Sequence, residues 1–212
     1  MGLKGWFPFL RKKGYHPAEL AVSAAATTSR TSIRRIDLLS RFSVIRNAYT
    51  RNSVEQAHVI LEKDIARFGT KENIIVYVDG VQAIEKEHTA LGREETRRTA
   101  GQRCIESLNV LEARISKGLR VRKRHFTDVR ASMATTFYWS HAMRDSFVEY
   151  MTREGWTIVG CPTEADVAIA QECRPGDIVV SADSDMLAYS TISILWRPVS
   201  RSVILVYNIS EL

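Results

Sequence analysis

With 212 residues, 45% of them hydrophobic and 25% charged, the chain has the composition of a folded globular protein with room for one α/β core, and fibrous and disordered classes are excluded. A net charge of +6 points toward polyanionic partners, nucleic acid foremost. No run approaches the apolar length of a membrane span, and Lys4, Arg11, Lys12 and Lys13 break the stretch from Trp6 to Leu10 too early for a secretory leader. An intracellular protein without a membrane partner is therefore expected. Cys104, Cys161 and Cys173 are odd in number and widely spaced, which argues against a disulfide framework and a tetrahedral zinc site.

In chain order, Ile33 to Leu39 reads as a short strand running into a helix that carries Phe42, Val44, Ile45 and Tyr49. From Ser53 to Phe68 the apolar positions recur every three or four residues and Gly69 follows, which predicts an amphipathic helix with a glycine stop. Ile74 to Val78 is an unbroken β-branched and aromatic run ending in Asp79-Gly80, the pattern of a strand buried on both faces of a parallel sheet. The polar stretch from Ala83 to about Val129 predicts one or two solvent-facing helices with a join near Gly118. A helix over Met143 to Met151 ends at Gly155, and Thr157 to Val159 is a brief strand. Pro162-Thr163-Glu164 opens a helix through Glu172, and Pro175-Gly176 turns the chain into a strand from Ile178 to Ser181. Met186 to Tyr189 is short and helical, and Ile192 to Leu195 with Ser202 to Tyr207 form a hairpin at the sheet edge. The alternation implies an α/β fold, a mostly parallel central sheet flanked by helices, in a single domain over 1–212.

Ligands of open parallel sheets bind at the carboxyl ends of the strands, and Asp37, Asp79, Asp183 and Asp185 fall there, with Glu164 and Asp166 in the first turn of the helix after Pro162. Singly, each is ordinary turn or cap chemistry. Jointly, six carboxylates in a partly desolvated cleft repel one another, and a bound divalent cation or two resolves the repulsion. Oxygen ligands without His or Cys favour Mg²⁺ or Mn²⁺ over zinc, and two such ions suit phosphodiester hydrolysis. A strand-Ser-helix elbow and a Gly-rich phosphate loop are both absent from the sequence. The cluster Arg114, Lys117, Arg120, Arg122, Lys123, Arg124 and Arg130 is a candidate nucleic-acid patch, and Tyr138 or Trp139 a candidate base-stacking residue, although aromatics at this spacing are more often core.

These motifs resemble the flap endonuclease and XPG (Rad2-like) family of structure-specific 5′ nucleases, with a PIN-like domain. The opening Met1-Gly2-Leu3-Lys4-Gly5-Trp6 is similar to the family's start, Val78-Asp79-Gly80 to its strand-end Asp-Gly, Glu164-Ala165-Asp166 to its Glu-Ala-Glu, and Asp183-Ser184-Asp185-Met186-Leu187 to its Asp-x-Asp. The resemblance implies an amino-terminal nuclease region over about 1–100, a basic helical arch or cap over about 101–140, and an internal nuclease region over about 141–212. It implies that Asp37, Asp79, Glu164, Asp166, Asp183 and Asp185 hold the metal, and that Lys86 and Arg93 assist Asp79 and Glu164 in catalysis at the scissile phosphate. It further implies that Gly2, Lys4, Arg120, Arg122, Lys123 and Arg124 contact nucleic acid. The expected activity is two-metal hydrolysis of DNA carrying a 5′ flap or a single-strand/duplex junction, by a monomer in the nucleus. The alternatives are a PIN-like ribonuclease acting on RNA and an inactive nucleic-acid- or protein-binding scaffold. Asp166 departs from the family in replacing a glutamate, and the sequence holds no match to the family's final metal-binding aspartate or its helix-two-turn-helix element.

Overall fold

A computed structural model describes residues 5–25, 27–28, 31–80 and 87–211. In chain order it contains α1 (Trp6–Lys12), β1 (Ala18–Ala21), α2 (Val22–Ala25), β2 (Arg34–Asp37), α3 (Phe42–Tyr49), α4 (Val54–Ile65), β3 (Ile74–Val78), α5 (Glu87–Ser116), α6 (Lys123–Thr136), α7 (His141–Arg153), β4 (Thr157–Gly160), α8 (Ala165–Glu172), β5 (Ile178–Val180), β6 (Ile194–Pro198) and β7 (Val203–Asn208). The strands form one seven-stranded sheet in the order β1-β7-β6-β5-β2-β3-β4. The five from β6 to β4 are parallel, β7 runs against them, and β1, paired antiparallel with β7, runs in the direction of the five.

The apolar runs explain why β3 and β5 lie at the centre, while β2 between them is buried along its length although Arg34, Arg35 and Asp37 are charged. Ile36, Ile74, Val76, Val78, Ile178 and Val180 pack against α3, α4 and α7 on one face, while Tyr77 and Val179 pack against α8 and α1 on the other. Side chains alternate across the sheet, so β3 and β5, covered on both faces, are apolar or aromatic at every position, whereas the buried charges of β2 have polar partners, Asp177 and Glu172 for Arg35, and Ser181 and Ser40 for Asp37. No helix among the described residues is long and apolar enough to cross a membrane.

The sequence reading assigned no element before Ile33, so α1, β1 and α2 are additions, and two differences bear on the sheet. β1 has an Ala-Glu-Leu-Ala sequence with three of four residues exposed, too little apolar surface to register as a strand, yet it pairs with β7 and takes over the sheet edge. The strand expected over Ile192 to Leu195 runs instead from Ile194 to Pro198, because Ile192 is drawn into the cluster around Met186 and Leu187 beneath α8.

The basic middle of the chain is a helical hairpin. α5 has 30 residues, about 45 Å of helix, and falls within the stretch from Ala83 to about Val129 read as one or two helices. It meets α6 through Ala100, Cys104, Leu111 and Val129, which are buried, and the turn between the helices holds Gly118 at φ 62, a left-handed conformation that glycine adopts freely.

β3 ends where Gly80 donates its N–H to the Thr163 carbonyl at 2.7 Å. A Cβ on Gly80 would lie 2.0 Å from the Cys161 carbonyl oxygen and 2.6 Å from that of Pro162, so only glycine lets the two segments approach. Gly80→Ala is expected to cost about 1–3 kcal/mol, as other overpacked sites do. A thermal melt checks this, and an unchanged midpoint would refute the close approach.

Candidate active site

β2 and β5 are neighbours in the sheet, but the chain leaves β2 toward β3 and β4 and returns to β5 on the other side. That reversal opens a crevice at the carboxyl ends of the strands, the usual ligand site of open α/β sheets. Asp37 is the last residue of β2, Asp79 follows β3, and Asp183 and Asp185 follow β5. Glu164 is the N-cap residue of α8 and Asp166 lies in its first turn.

The first of these is deeply placed. Asp37 is only 7% exposed; its Oδ2 accepts from Ser181 Oγ at 2.8 Å and its Oδ1 from the Ser40 N–H at 3.2 Å. Ser181 Oγ also accepts from the Asp183 N–H at 3.0 Å, and Asp183 Oδ1 accepts from the Asp185 N–H at 3.1 Å. One hydroxyl thus ties the end of β2 to the Asp-x-Asp turn. Asp79 Oδ1 accepts from the Ala165 N–H at 2.6 Å. A carboxylate from β3 therefore caps α8, in place of the expected Glu164 side chain, where the free N–H groups and the helix dipole favour negative charge. Asp166 Oδ2 accepts from Tyr189 Oη at 3.2 Å.

The electrostatics join these residues into one group. Burial pushes the Asp37 carboxyl up to about 7, with the charges of Asp79 and Asp183 adding to the shift and the bonds from Ser181 and Ser40 opposing it. Burial also raises Asp79, which feels Asp166 and Glu164; its bond from Ala165 and the guanidinium of Arg144 work the other way. Tyr189 is pushed up to about 12 by burial, by Asp166, and by Asp185 and Glu164. Arg144 reaches the same edge from α7, donating to the Asp79 carbonyl at 2.9 Å. Among the described residues no three His, Cys, Asp or Glu side chains close on a common point as a ready-made metal shell. In chemical kind the donor set suits a hard divalent cation, since it is all oxygen and its most buried member is short of positive charge.

Ser181, Tyr189 and Arg144 are the members that sequence reasoning missed. Ser181 closes a strand and Tyr189 follows a turn, positions with no chemical signature of their own, and Arg144 is one of many arginines. Of the expected phosphate-contacting and nucleic-acid residues, Lys86, Gly2 and Lys4 lie outside the described residues, and Arg93 is exposed on α5. Arg120 and Arg122 are exposed in the turn of the hairpin, and Lys123 and Arg124 are exposed in the first turn of α6. Cations there oppose the helix dipole, so their placement costs stability. Trp139 is core at 3% exposure, whereas Tyr138 is 52% exposed and lies against the guanidinium of Arg97, 4.9 Å from the ring centre.

No family model matches the sequence, and no curated protein matches it. Solved structures do resemble the fold. The catalytic core of Rad2 in complex with DNA substrate (complex III) superposes with a TM-score of 0.56 at 12% identity, over 98% of this chain and 55% of that one. Complex II gives 0.54 at 14% identity, over 94% and 53% of the respective chains. The catalytic core of Rad2 in complex I gives 0.51 at 13% identity, over 98% and 51%. The chain therefore has the fold of the Rad2 catalytic core and spans about half the length of those structures.

Two outcomes follow from the charge placement. Because its pKa is raised, folded Asp37 keeps a proton that the unfolded chain has lost between pH about 4 and about 7, so its contribution to stability falls as pH rises through that window. Asp37→Asn is expected to raise the metal-free melting midpoint at pH 8 by the equivalent of a few kcal/mol at most, and by much less at pH 5. Equal effects at both values would contradict the shift. Lys123→Glu is expected to stabilise the fold by about 0.3–1 kcal/mol through the α6 dipole while weakening the binding of an oligonucleotide, as read by a melt and a titration on one preparation.

Proposed function

We propose that the chain is a divalent-metal-dependent nuclease that hydrolyses phosphodiester bonds in DNA bearing a 5′ flap or a single-strand/duplex junction. The observation that carries this reading is the coupled carboxylate group at the strand-order reversal, in a fold that resembles structures described as a Rad2 catalytic core in complex with DNA substrate. The residues that would hold the cations, Mg²⁺ or Mn²⁺ and as a pair, are Asp37, Asp79, Glu164, Asp166, Asp183 and Asp185. Such ions, when bound, supply an activated water and neutralise the non-bridging oxygens of the phosphate.

The chain's own residues do the rest. Ser181 fixes Asp37 and the Asp183 turn in one orientation, and Tyr189 holds Asp166 by donating to it. Asp79 sets the first turn of α8 and with it Glu164, and Arg144 offsets part of the negative charge. Arg93, on the first part of α5, and Lys86 would grip the scissile phosphate and stabilise the charge that develops on it. The cations of the hairpin turn, Arg120, Arg122, Lys123 and Arg124, would hold the backbone of a single strand, with Gly2 and Lys4 contributing at the amino terminus. A monomer in the nucleus suits this role.

An inactive nucleic-acid-binding scaffold is the second reading, favoured by the lack of a ready-made metal shell among the described residues. Cleavage of an end-labelled 5′ flap with Mg²⁺ or Mn²⁺, against a chelator control, separates the two. Asp79→Ala and Asp183→Ala are each expected to reduce cleavage at least 100-fold while binding changes little. Variants as active as the wild type would overturn the site, and a wild type that binds without cutting would leave the scaffold reading. A matched RNA flap in the same assay distinguishes ribonuclease from deoxyribonuclease activity.

A further inference from the structure

A second basic feature lies away from the hairpin. Phe7, Pro8, Arg11, Lys12 and Arg197 line a cleft of about 520 Å³ between α1 and β6. Its lining holds no carboxylate, and among the described residues none of its three cations makes an ion pair. The Arg197 guanidinium lies 4.0 Å from the centre of the Phe7 ring, and that ring packs in turn on Tyr207, 5.1 Å away. The arginine is thus held in place by stacking on an aromatic. Its Nε is buried and has no hydrogen-bond partner among the described residues. A buried donor left unsatisfied costs free energy, so burial of this arginine is offset by its stacking on Phe7, and the rest of the guanidinium is what a ligand in the cleft would meet.

Register places the cleft beside the carboxylates. Trp196 on β6 pairs with Val180 on β5, so Arg197 stands level with Ser181, the residue that holds Asp37. β6 and β2 are separated only by β5. Two strand spacings are about 10 Å, roughly the axial rise of three stacked nucleotides in one strand of B-DNA. The cleft and Asp37 therefore lie at one edge of the sheet, within reach of a single nucleic-acid strand.

We propose that this cleft binds the phosphates of a nucleic-acid strand a few nucleotides from the bond held at the carboxylates. Arg197 and the pair Arg11 and Lys12 contact the backbone, and Phe7 with Pro8 provides an apolar floor for a sugar or base. The proposal rests on the nucleic-acid reading above but not on catalysis. It is tested on the whole chain in chelator, where nothing is cut, by fluorescence anisotropy of a labelled single-stranded DNA 12-mer across a salt series. Arg11→Ala/Lys12→Ala, at two exposed positions, is expected to weaken binding about 5- to 10-fold and to reduce the slope of log K against log salt by about 1.4, two contacts at about 0.7 each. Arg197→Gln is expected to weaken it about 3-fold or more, and should it melt early, the exposed double variant decides the matter. Arg51→Ala/Lys63→Ala, the same charge change at exposed residues on the opposite side of the sheet, is expected to change affinity less than 2-fold. Cleft variants that bind like the wild type, or a control that loses as much, would overturn the proposal. A wild type that fails to cut a flap yet loses affinity only through the cleft variants would uphold the cleft while removing the nuclease reading.

Discussion

The structure turns on a charge imbalance at one end of the sheet. Asp37 is buried at the end of β2 beside Asp79 and Asp183, and hydrogen bonds from Ser181 and Ser40 only partly offset the cost of holding its charge away from water. At the other end of the same strand the situation is reversed. Arg35, also buried, is neutralised by Asp177 at 2.8 Å and Glu172 at 3.2 Å and by a bond to Tyr77. The Arg35 charge is thus matched by carboxylates, whereas the group at the carboxyl ends of the strands is left negative and carries the candidate site.

The scaffold explains how that imbalance is maintained. Gly80 brings the end of β3 against the segment before α8, the Asp79 side chain caps that helix, and the amino end of α8 gives the acidic residues a favourable field. Ser181 ties the Asp37 carboxylate on β2 to the backbone of the Asp183 turn. The bonds that position the carboxylates are therefore the bonds that lower their cost. A cation in the crevice would complete the balance, and the raised pKa of Asp37 means that its arrival would displace a proton near neutral pH.

Much of this was legible in the sequence, for definite reasons. The strand Ile74–Val78, buried on both faces, has no charged residue to blur the pattern, and an aspartate just past such a run falls at the carboxyl edge where parallel sheets bind ligands. The hairpin join at Gly118 was visible because its backbone needs glycine. β1 was not legible, because an exposed edge strand is stabilised by backbone pairing with β7 and not by apolar side chains. Nor was the capping of α8 by Asp79, a contact across 86 residues that no local pattern encodes. Ser181, Tyr189 and Arg144 acquire their roles from the fold alone, since each acts on a carboxylate brought to it from elsewhere in the chain.

The carboxylates at the strand-order reversal are proposed to share a divalent cation. Titration of the metal-free chain with Mn²⁺ near pH 7, followed by the loss of the free-ion paramagnetic resonance signal and by calorimetry in buffers of different ionisation enthalpy, tests it most directly. Saturable binding of one or two ions with release of a fraction of a proton, lost in Asp37→Asn and in Asp183→Ala, is the predicted result. Binding that is absent, or that persists unchanged in both variants, would contradict it.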